Sequence, residues 1–157
     1  MAPLVYEMKR ERGSRVEIEV LPGISAFQKA ASLLGAPIGH DFCVISLSDL
    51  LTPWAVIERR IRCGVHGDFV MAIYNPSSRK RAVYLRKAAD IMLAAGAEPN
   101  RACGYVENIG REGTRAVTCT LAELREVKVN MFTTVYVGNS QSFIRGGKLI
   151  TPRGYEL

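Results

Sequence analysis

The stretch FCVISLSDLLTPWAVIERRIRCGVHGDFVMAIYNPSS, residues 42–78, decides the fold class. It opens on an apolar run, Phe42 to Leu47, short enough for a buried strand. Thr52-Pro53 then offers a hydroxyl cap followed by a proline in the first turn, so a helix starts there. Trp54, Ile57 and Ile61 recur along it at helical spacing, and Gly64 is expected to end it. A second apolar run, Phe69 to Tyr74, is again of strand length. The loop Asn75-Pro76-Ser77-Ser78 is rich in helix-capping residues. Strand, helix and strand in this succession make the unit of a sheet covered by helices.

The pattern continues on both sides. Downstream, Arg79 to Ala95 predicts the longest helix, with Tyr84, Ala88, Ile91, Met92 and Ala95 on one stripe and Gly96 beyond its end. Ala102 to Glu107 and Arg115 to Thr120 read as strands joined by the turn Asn108 to Gly113. A short helix, Leu121 to Arg125, and a β-branched strand, Thr133 to Val137, follow. Lys148 to Ile150 reads as a final edge strand, stopped by Thr151-Pro152-Arg153-Gly154. Upstream, Ile24 to Leu34 reads as a helix with Phe27, Ala30, Ala31 and Leu34 on one face and Gly35 ending it. Val16, Ile18 and Val20 alternate with Glu17 and Glu19, which predicts a half-buried strand broken by Pro22-Gly23. Leu4 to Lys9 looks like the tail of a helix. The expected fold is α/β, a mixed sheet flanked by helices, antiparallel towards the carboxyl end.

Composition narrows the function. The 157 residues are 48% hydrophobic, enough for one folded domain with a real core. No apolar run approaches the roughly 20 residues of a membrane helix, and Met1 to Glu7 has no secretory pattern. The four cysteines form no CxxC, and neither His40 nor His66 stands near them at ligand spacing, so no metal site is expected. They read as small buried hydrophobes, reduced in a cytoplasmic protein. The net charge of +6 comes in small clusters such as Arg59, Arg60 and Arg62. A nucleic-acid binder would carry a denser stripe with aromatics, so nucleic acid and membrane are not expected partners. A polyanionic small molecule is the partner such charge would attract.

Ligands of open α/β sheets sit beyond the carboxyl ends of strands, and several loops qualify. In Leu21-Pro22-Gly23-Ile24-Ser25-Ala26, Gly23 admits close backbone approach, and Ser25 and Ala26 open a helix with free amides. Ser25 equally reads as an ordinary cap. Asp49, in the segment SLSDLLTPW, can hold a proton or bond neighbouring amides. Tyr74 and Asn75 end a strand, and Ser77, Arg79, Lys80 and Arg81 add hydroxyl and charge suited to carboxylates or phosphates, Lys80 and Arg81 equally reading as solvent-facing. Asn108-Ile109-Gly110-Arg111-Glu112-Gly113 is an exposed turn that matches neither GxGxxG nor a Walker loop.

Together, PGISA (22–26), HDFCVISLSDLLTPW (40–54), YNPSSRKR (74–81), NIGREGT (108–114), TTVYVGNSQSF (133–143) and ITPRGY (150–155) resemble the precorrin-3B C17-methyltransferases, a branch of the tetrapyrrole methylases. The resemblance covers nearly the whole chain and corresponds to the carboxy-terminal domain of that fold. It implies residues 1–21 as a remnant helix and strand at the junction with a missing amino-terminal domain, and 22–157 as the carboxy-terminal domain. It further implies S-adenosyl-L-methionine as methyl donor, S-adenosyl-L-homocysteine as product, and methylation of precorrin-3B or its cobalt form at C17 with ring contraction, in cobalamin biosynthesis. Cofactor contacts are expected at Ser25, Ala26, Tyr74, Asn75, Gly104, Asn108, Val137 and Gly138, substrate contacts at Ser77, Arg79 and Arg111, and proton movement at Asp49. The chain alone is expected to be inactive, to need the missing domain or a separate chain, and to form a homo-oligomer. The competing expectation is a non-catalytic ligand-binding or assembly module.

Overall fold

The computed structural model describes residues 2–78 and 81–155. Its elements are α1 (Ala2–Glu11), α2 (Ala26–Leu34), β1 (Gly35–Ala36), β2 (Phe42–Ser46), α3 (Trp54–His66), β3 (Val70–Tyr74), α4 (Tyr84–Ala94), β4 (Ala102–Glu107), β5 (Arg115–Thr120), α5 (Leu121–Glu126), β6 (Thr133–Val137), β7 (Phe143–Arg145) and β8 (Lys148–Ile150). A five-stranded sheet runs β2-β3-β6-β4-β5, and a small sheet runs β1-β8-β7. β2 and β3 are parallel, whereas β6 inserts antiparallel between β3 and β4, and β5 returns antiparallel to β4. The mixed α/β sheet with a late antiparallel section is thus as expected. β2, β3 and β4 all point one way, so their carboxyl ends share one edge with the start of β6.

Alternation along the strands builds two cores. Ile45, Met71, Ile73, Cys103, Tyr105, Val135 and Val137 face α3, α4 and α5, meeting Ile57, Ile61, Leu85, Met92, Leu121 and Leu124. Val70, Ala72, Ala102, Val106 and Tyr136 face the other way, onto Ala30, Ala31 and Leu34 of α2 and Leu149 of β8. The odd–even split is the side-chain period of a pleated sheet.

Several boundaries differ from the sequence reading. The helix after Thr52-Pro53 does not stop at Gly64 but runs to His66. A β-carbon on Gly64 would lie 2.7 Å from Met71 Sδ, so this glycine serves close helix–sheet packing. Pro53 takes the cap position itself, its carbonyl accepting from the Val56 and Ile57 amides. The helix expected from Arg79 starts only at Tyr84; Arg79 and Lys80 lie outside the described residues. Residues 16–20 form no strand, because no strand among the described residues pairs with them; Val16 and Val20 are exposed. The 1–21 segment therefore holds a helix without its strand. Lys148–Ile150 is the centre of the small sheet rather than an edge, flanked by β1 and β7. Cys103 and Cys119 are buried, but Cys63 is exposed. Burial drives the Cys103 thiol well above its ordinary range and pushes Cys119 up to about 12, which leaves both unreactive.

Among the described residues no helix is long and apolar enough to cross a membrane.

Candidate functional site

Strand direction brings the candidate loops together. Tyr74 ends β3, Glu107 ends β4, and Thr133 of β6 begins opposite Glu107. The start of α2 lies over the same edge. The Phe27 N–H donates to Tyr74 Oη at 2.7 Å, and its carbonyl accepts from Tyr136 Oη, so two tyrosines rising from the sheet hold the backbone of one residue in the first helical turn. Burial raises the Tyr136 phenol pKa, and the nearby Tyr74 adds to the rise. This pair fixes where Ser25 and Ala26 stand. Ser25 turns inward on its own helix: its N–H and Oγ donate to Gln28 Oε1 at 2.9 and 3.0 Å. Ser25 is the N-cap residue of α2, in a capping box with Gln28, as its capping reading has it.

Ala26, Tyr74 and Asn75 line one wall of a cleft of ≈ 200 Å³. Ile109 and Arg111, from the β4–β5 turn, and Met131 to Thr134, at the entry to β6, line the other. Asn75 and Asn108, which close β3 and β4, both take the left-handed conformation at φ 53°, which asparagine tolerates better than most residues. Asn108 shapes the 108–114 turn rather than facing the cleft: its N–H donates to Phe132 O at 3.1 Å, its carbonyl accepts from Thr114 Oγ1 at 2.8 Å, and its amide nitrogen donates to Gly113 O at 3.5 Å. Asn130 Oδ1 accepts from Phe132 N–H at 2.8 Å and from Thr133 Oγ1 at 3.1 Å, which sets the Met131–Phe132 tip. Arg111 lies over the Phe132 ring at 4.2 Å, a cation–π contact. Met131 and Phe132 escaped the sequence reading; their signal was a large apolar pair between an asparagine and a β-branched strand.

Not every expected contact converges here. Gly104 sits mid-strand opposite Tyr136, beneath Leu34 of α2. Val137 and Gly138 lie at the opposite edge of the sheet, Val137 pairing with Met71 and Cys103 near the starts of β3 and β4. A β-carbon at Gly138 would meet Ser142 Cβ at 2.4 Å. Ser77 lines a different hollow with Arg86, Arg125 and Lys128. Arg79 lies outside the described residues.

Asp49 is tied into a clamp between the β2–α3 loop and α4. Tyr84 Oη donates to Asp49 Oδ2 at 2.5 Å, and Arg81 Nη1 donates to Asp49 Oδ1 at 3.3 Å and to Ser48 Oγ at 3.1 Å. The Tyr84 hydrogen bond, with smaller help from its own backbone amide and Arg81, holds the Asp49 carboxyl below the usual carboxylate range, against a desolvation that raises it. Both oxygens of an ionised Asp49 are therefore engaged.

The cleft suits part of a nucleoside-like ligand. Phe132, Met131 and Ile109 offer apolar surface, and Asn75, Thr133 and Thr134 offer polar partners. At ≈ 200 Å³ it falls short of the roughly 300–1,000 Å³ of complete small-molecule sites.

Comparison with known proteins identifies the family. The family model for tetrapyrrole (corrin/porphyrin) methylases matches residues 1–125. A probable cobalt-factor III C(17)-methyltransferase of Salmonella typhimurium is 46% identical over 157 residues, covering 100% of this chain and 65% of that protein. The crystal structure of the methyltransferase CobJ superposes with a TM-score of 0.86 at 34% identity, covering 97% of this chain and 64% of that one. A uroporphyrin-III C-methyl transferase from Thermus thermophilus, solved with S-adenosyl homocysteine, shares the fold at a TM-score of 0.63 and 20% identity, over 87% of this chain and 56% of that one. The chain thus spans less than two thirds of each of these proteins.

Proposed function

The chain belongs to the tetrapyrrole methylase family, and from that premise we propose that it forms the carboxy-terminal, cofactor-side domain of a cytoplasmic S-adenosylmethionine-dependent methyltransferase that acts at C17 of cobalt-factor III or precorrin-3B, with ring contraction, in cobalamin biosynthesis. The observation that carries the reading is the meeting of Ala26 at the start of α2, Tyr74-Asn75, Ile109 and Arg111, and the Met131–Thr134 segment around one cleft at the carboxyl edge of β3 and β4. Residues 2–21 serve in this reading as the junction with an amino-terminal domain. Leu4, Val5, Tyr6 and Met8 of α1 and Val20, Leu21 and Ile24 beyond it are exposed, and we assign their cover to that domain or to a second copy.

S-adenosylmethionine would supply an activated methyl group as a sulfonium. This chain's residues then have to place it and keep water out. Tyr74 and Tyr136 lock the first turn of α2, so Ala26 is held in a fixed position at the cleft. Phe132, backed by Arg111, gives a flat apolar wall. Asn75 closes the cleft towards the β2 end, its Nδ2 donating to Ser46 Oγ at 2.9 Å. Asp49 stands as an ionised group whose direct service is to anchor its loop through Tyr84 and Arg81.

Calorimetric titration with S-adenosylhomocysteine tests the reading. Saturable binding by the chain, weakened by Phe132→Ala, is expected. Turnover by the chain alone is not, since the cleft, at ≈ 200 Å³, is smaller than a complete small-molecule site. Absence of binding would overturn the placement of the cofactor side in these residues.

A further inference from the structure

A second cavity, of ≈ 580 Å³, adjoins the cleft and is lined by Ser46, Ser48, Leu50, Leu51, Thr52 and Arg60. The two share a wall, because Ser46 is the register partner of Tyr74 and accepts from Asn75 Nδ2 at 2.9 Å. The lining has two chemistries. Three hydroxyls and a guanidinium offer hydrogen-bond donors, and among the described residues Arg60 forms no ion pair. Asp49, close by in sequence, has both oxygens committed to Tyr84 and Arg81, and Glu58 of the same helix pairs with Arg62 at 2.8 Å. Beside this polar wall, Leu50 is 75% and Leu51 98% exposed. The Asp49–Tyr84–Arg81 clamp and the Ser48–Arg81 bond keep their loop from folding these leucines away.

We propose that this cavity is a substrate subsite that receives a carboxylate side arm of the tetrapyrrole, with Arg60 as the cation that selects it and Leu50–Leu51 supporting the apolar ring. The inference rests on the methyltransferase reading above and extends it to the acceptor. A flat apolar body with carboxylate arms satisfies both halves of the lining. A compact phosphate would use the guanidinium and leave the leucines in water. A purely apolar partner would strand an unpaired guanidinium and three hydroxyls. The shared wall puts the arm's anchor one strand away from the donor cleft, so a ring anchored at Arg60 reaches past Ser46 and Asn75 towards Tyr74. The Arg60 side chain also borders the shallow groove of Cys43, Val44 and Phe69, on the far side of the same helix turn.

The test uses uroporphyrin III, a fluorescent tetrapyrrole octacarboxylate, titrated into the 157-residue chain while its emission is followed, with S-adenosylhomocysteine binding measured in parallel by calorimetry. Arg60→Gln is expected to weaken porphyrin binding about tenfold, the size of one lost charge-assisted hydrogen bond, and to leave S-adenosylhomocysteine binding unchanged. Arg60→Lys should recover part of the loss. Arg62→Gln removes the same charge from the same helix outside the cavity and should have no effect beyond twofold. Equal losses at Arg60 and Arg62 would reduce the effect to net charge and overturn the site. So would undiminished binding by Arg60→Gln, including the case in which Leu50→Ser abolishes it, which would mark an apolar docking face for the rest of a longer protein. If the unaltered chain binds S-adenosylhomocysteine but no porphyrin, this subsite falls and the methyltransferase reading stands; if it binds neither, the subsite falls together with the placement of the cofactor side in these residues.

Discussion

Replacing Gly104 with alanine separates packing from ligand contact. A β-carbon built on Gly104 lies 2.8 Å from Leu34 Cδ2, 3.3 Å from Leu34 Cδ1 and 3.0 Å from the Val117 carbonyl oxygen. Comfortable carbon contacts begin near ~3.5 Å. Neither neighbour yields readily, since Leu34 is 1% exposed and the carbonyl belongs to the paired strand β5. Relief requires α2 to lift off the sheet or Leu34 to leave its rotamer, and overpacking of this kind costs about 1–3 kcal/mol. For a chain of this length each kcal/mol lowers Tm by roughly 2–4 °C, so Gly104→Ala should melt about 2–12 °C below the parent by circular dichroism. Leu34→Ala alone should cost about 2–5 kcal/mol as a cavity. The double variant should be less destabilised than the sum, because the removed side chain makes room for the added methyl. An unchanged Tm together with weakened S-adenosylhomocysteine binding would refute this reasoning and restore residue 104 to the ligand's side, as the family resemblance implied.

Tyr74→Phe removes the acceptor of the Phe27 N–H; a loss of about 1 kcal/mol in urea unfolding, faster hydrogen exchange at Phe27 and weaker S-adenosylhomocysteine binding are expected, and retained affinity would mean that the α2 entrance is held by Tyr136 alone. Tyr84→Phe should raise the Asp49 pKa towards the ordinary carboxylate value, read by carbon NMR through an acid titration. The folded-state pKa of Asp49 is depressed, so its stabilising contribution is present at neutral pH and is lost as pH falls through that depressed value; in Tyr84→Phe this acid-dependent loss should shrink, and an unmoved Asp49 titration would show that Tyr84 is not its principal partner.

Much of the fold was legible because it rests on local signals. Apolar runs of five or six residues, proline at helix entry and glycine at helix exit mark β2, β3, α2 and α3 without knowledge of their neighbours. The misreadings arose where a residue answers to something distant in sequence. Gly64 looks like a stop, but it is small because Met71 needs the space. Val16 to Val20 alternates like a strand, yet a strand exists only where another pairs with it. The two residues of β1 are too few to carry a periodicity, and they are a strand because Leu149 and Ile150 lie beside them. The site follows the same rule. Pro22-Gly23, Tyr74-Asn75 and the glycines of 110–113 announce turns from composition alone. Strand direction is silent in sequence, and the reversal of β6 sends Val137 and Gly138 to the far edge while bringing Met131 and Phe132 to the cleft. The Asp49 clamp was invisible for a similar reason, since Tyr84 reads from sequence as one residue of an apolar stripe.

The odd–even division of the sheet into two cores bears on how such a domain changes over generations. The cluster under α3, α4 and α5 and the cluster under α2 touch through the backbone of the same strands but share no side chain. Substitutions on one face should therefore combine almost additively with those on the other, as they do between sites without common partners. Drift can rework the larger face, and with it the loops that α3 and α4 carry around the Arg60 cavity, while the α2 face and its pinned entrance stay as they are. A lineage can thus alter the surface beside β2 while the cleft beside β3 keeps its shape.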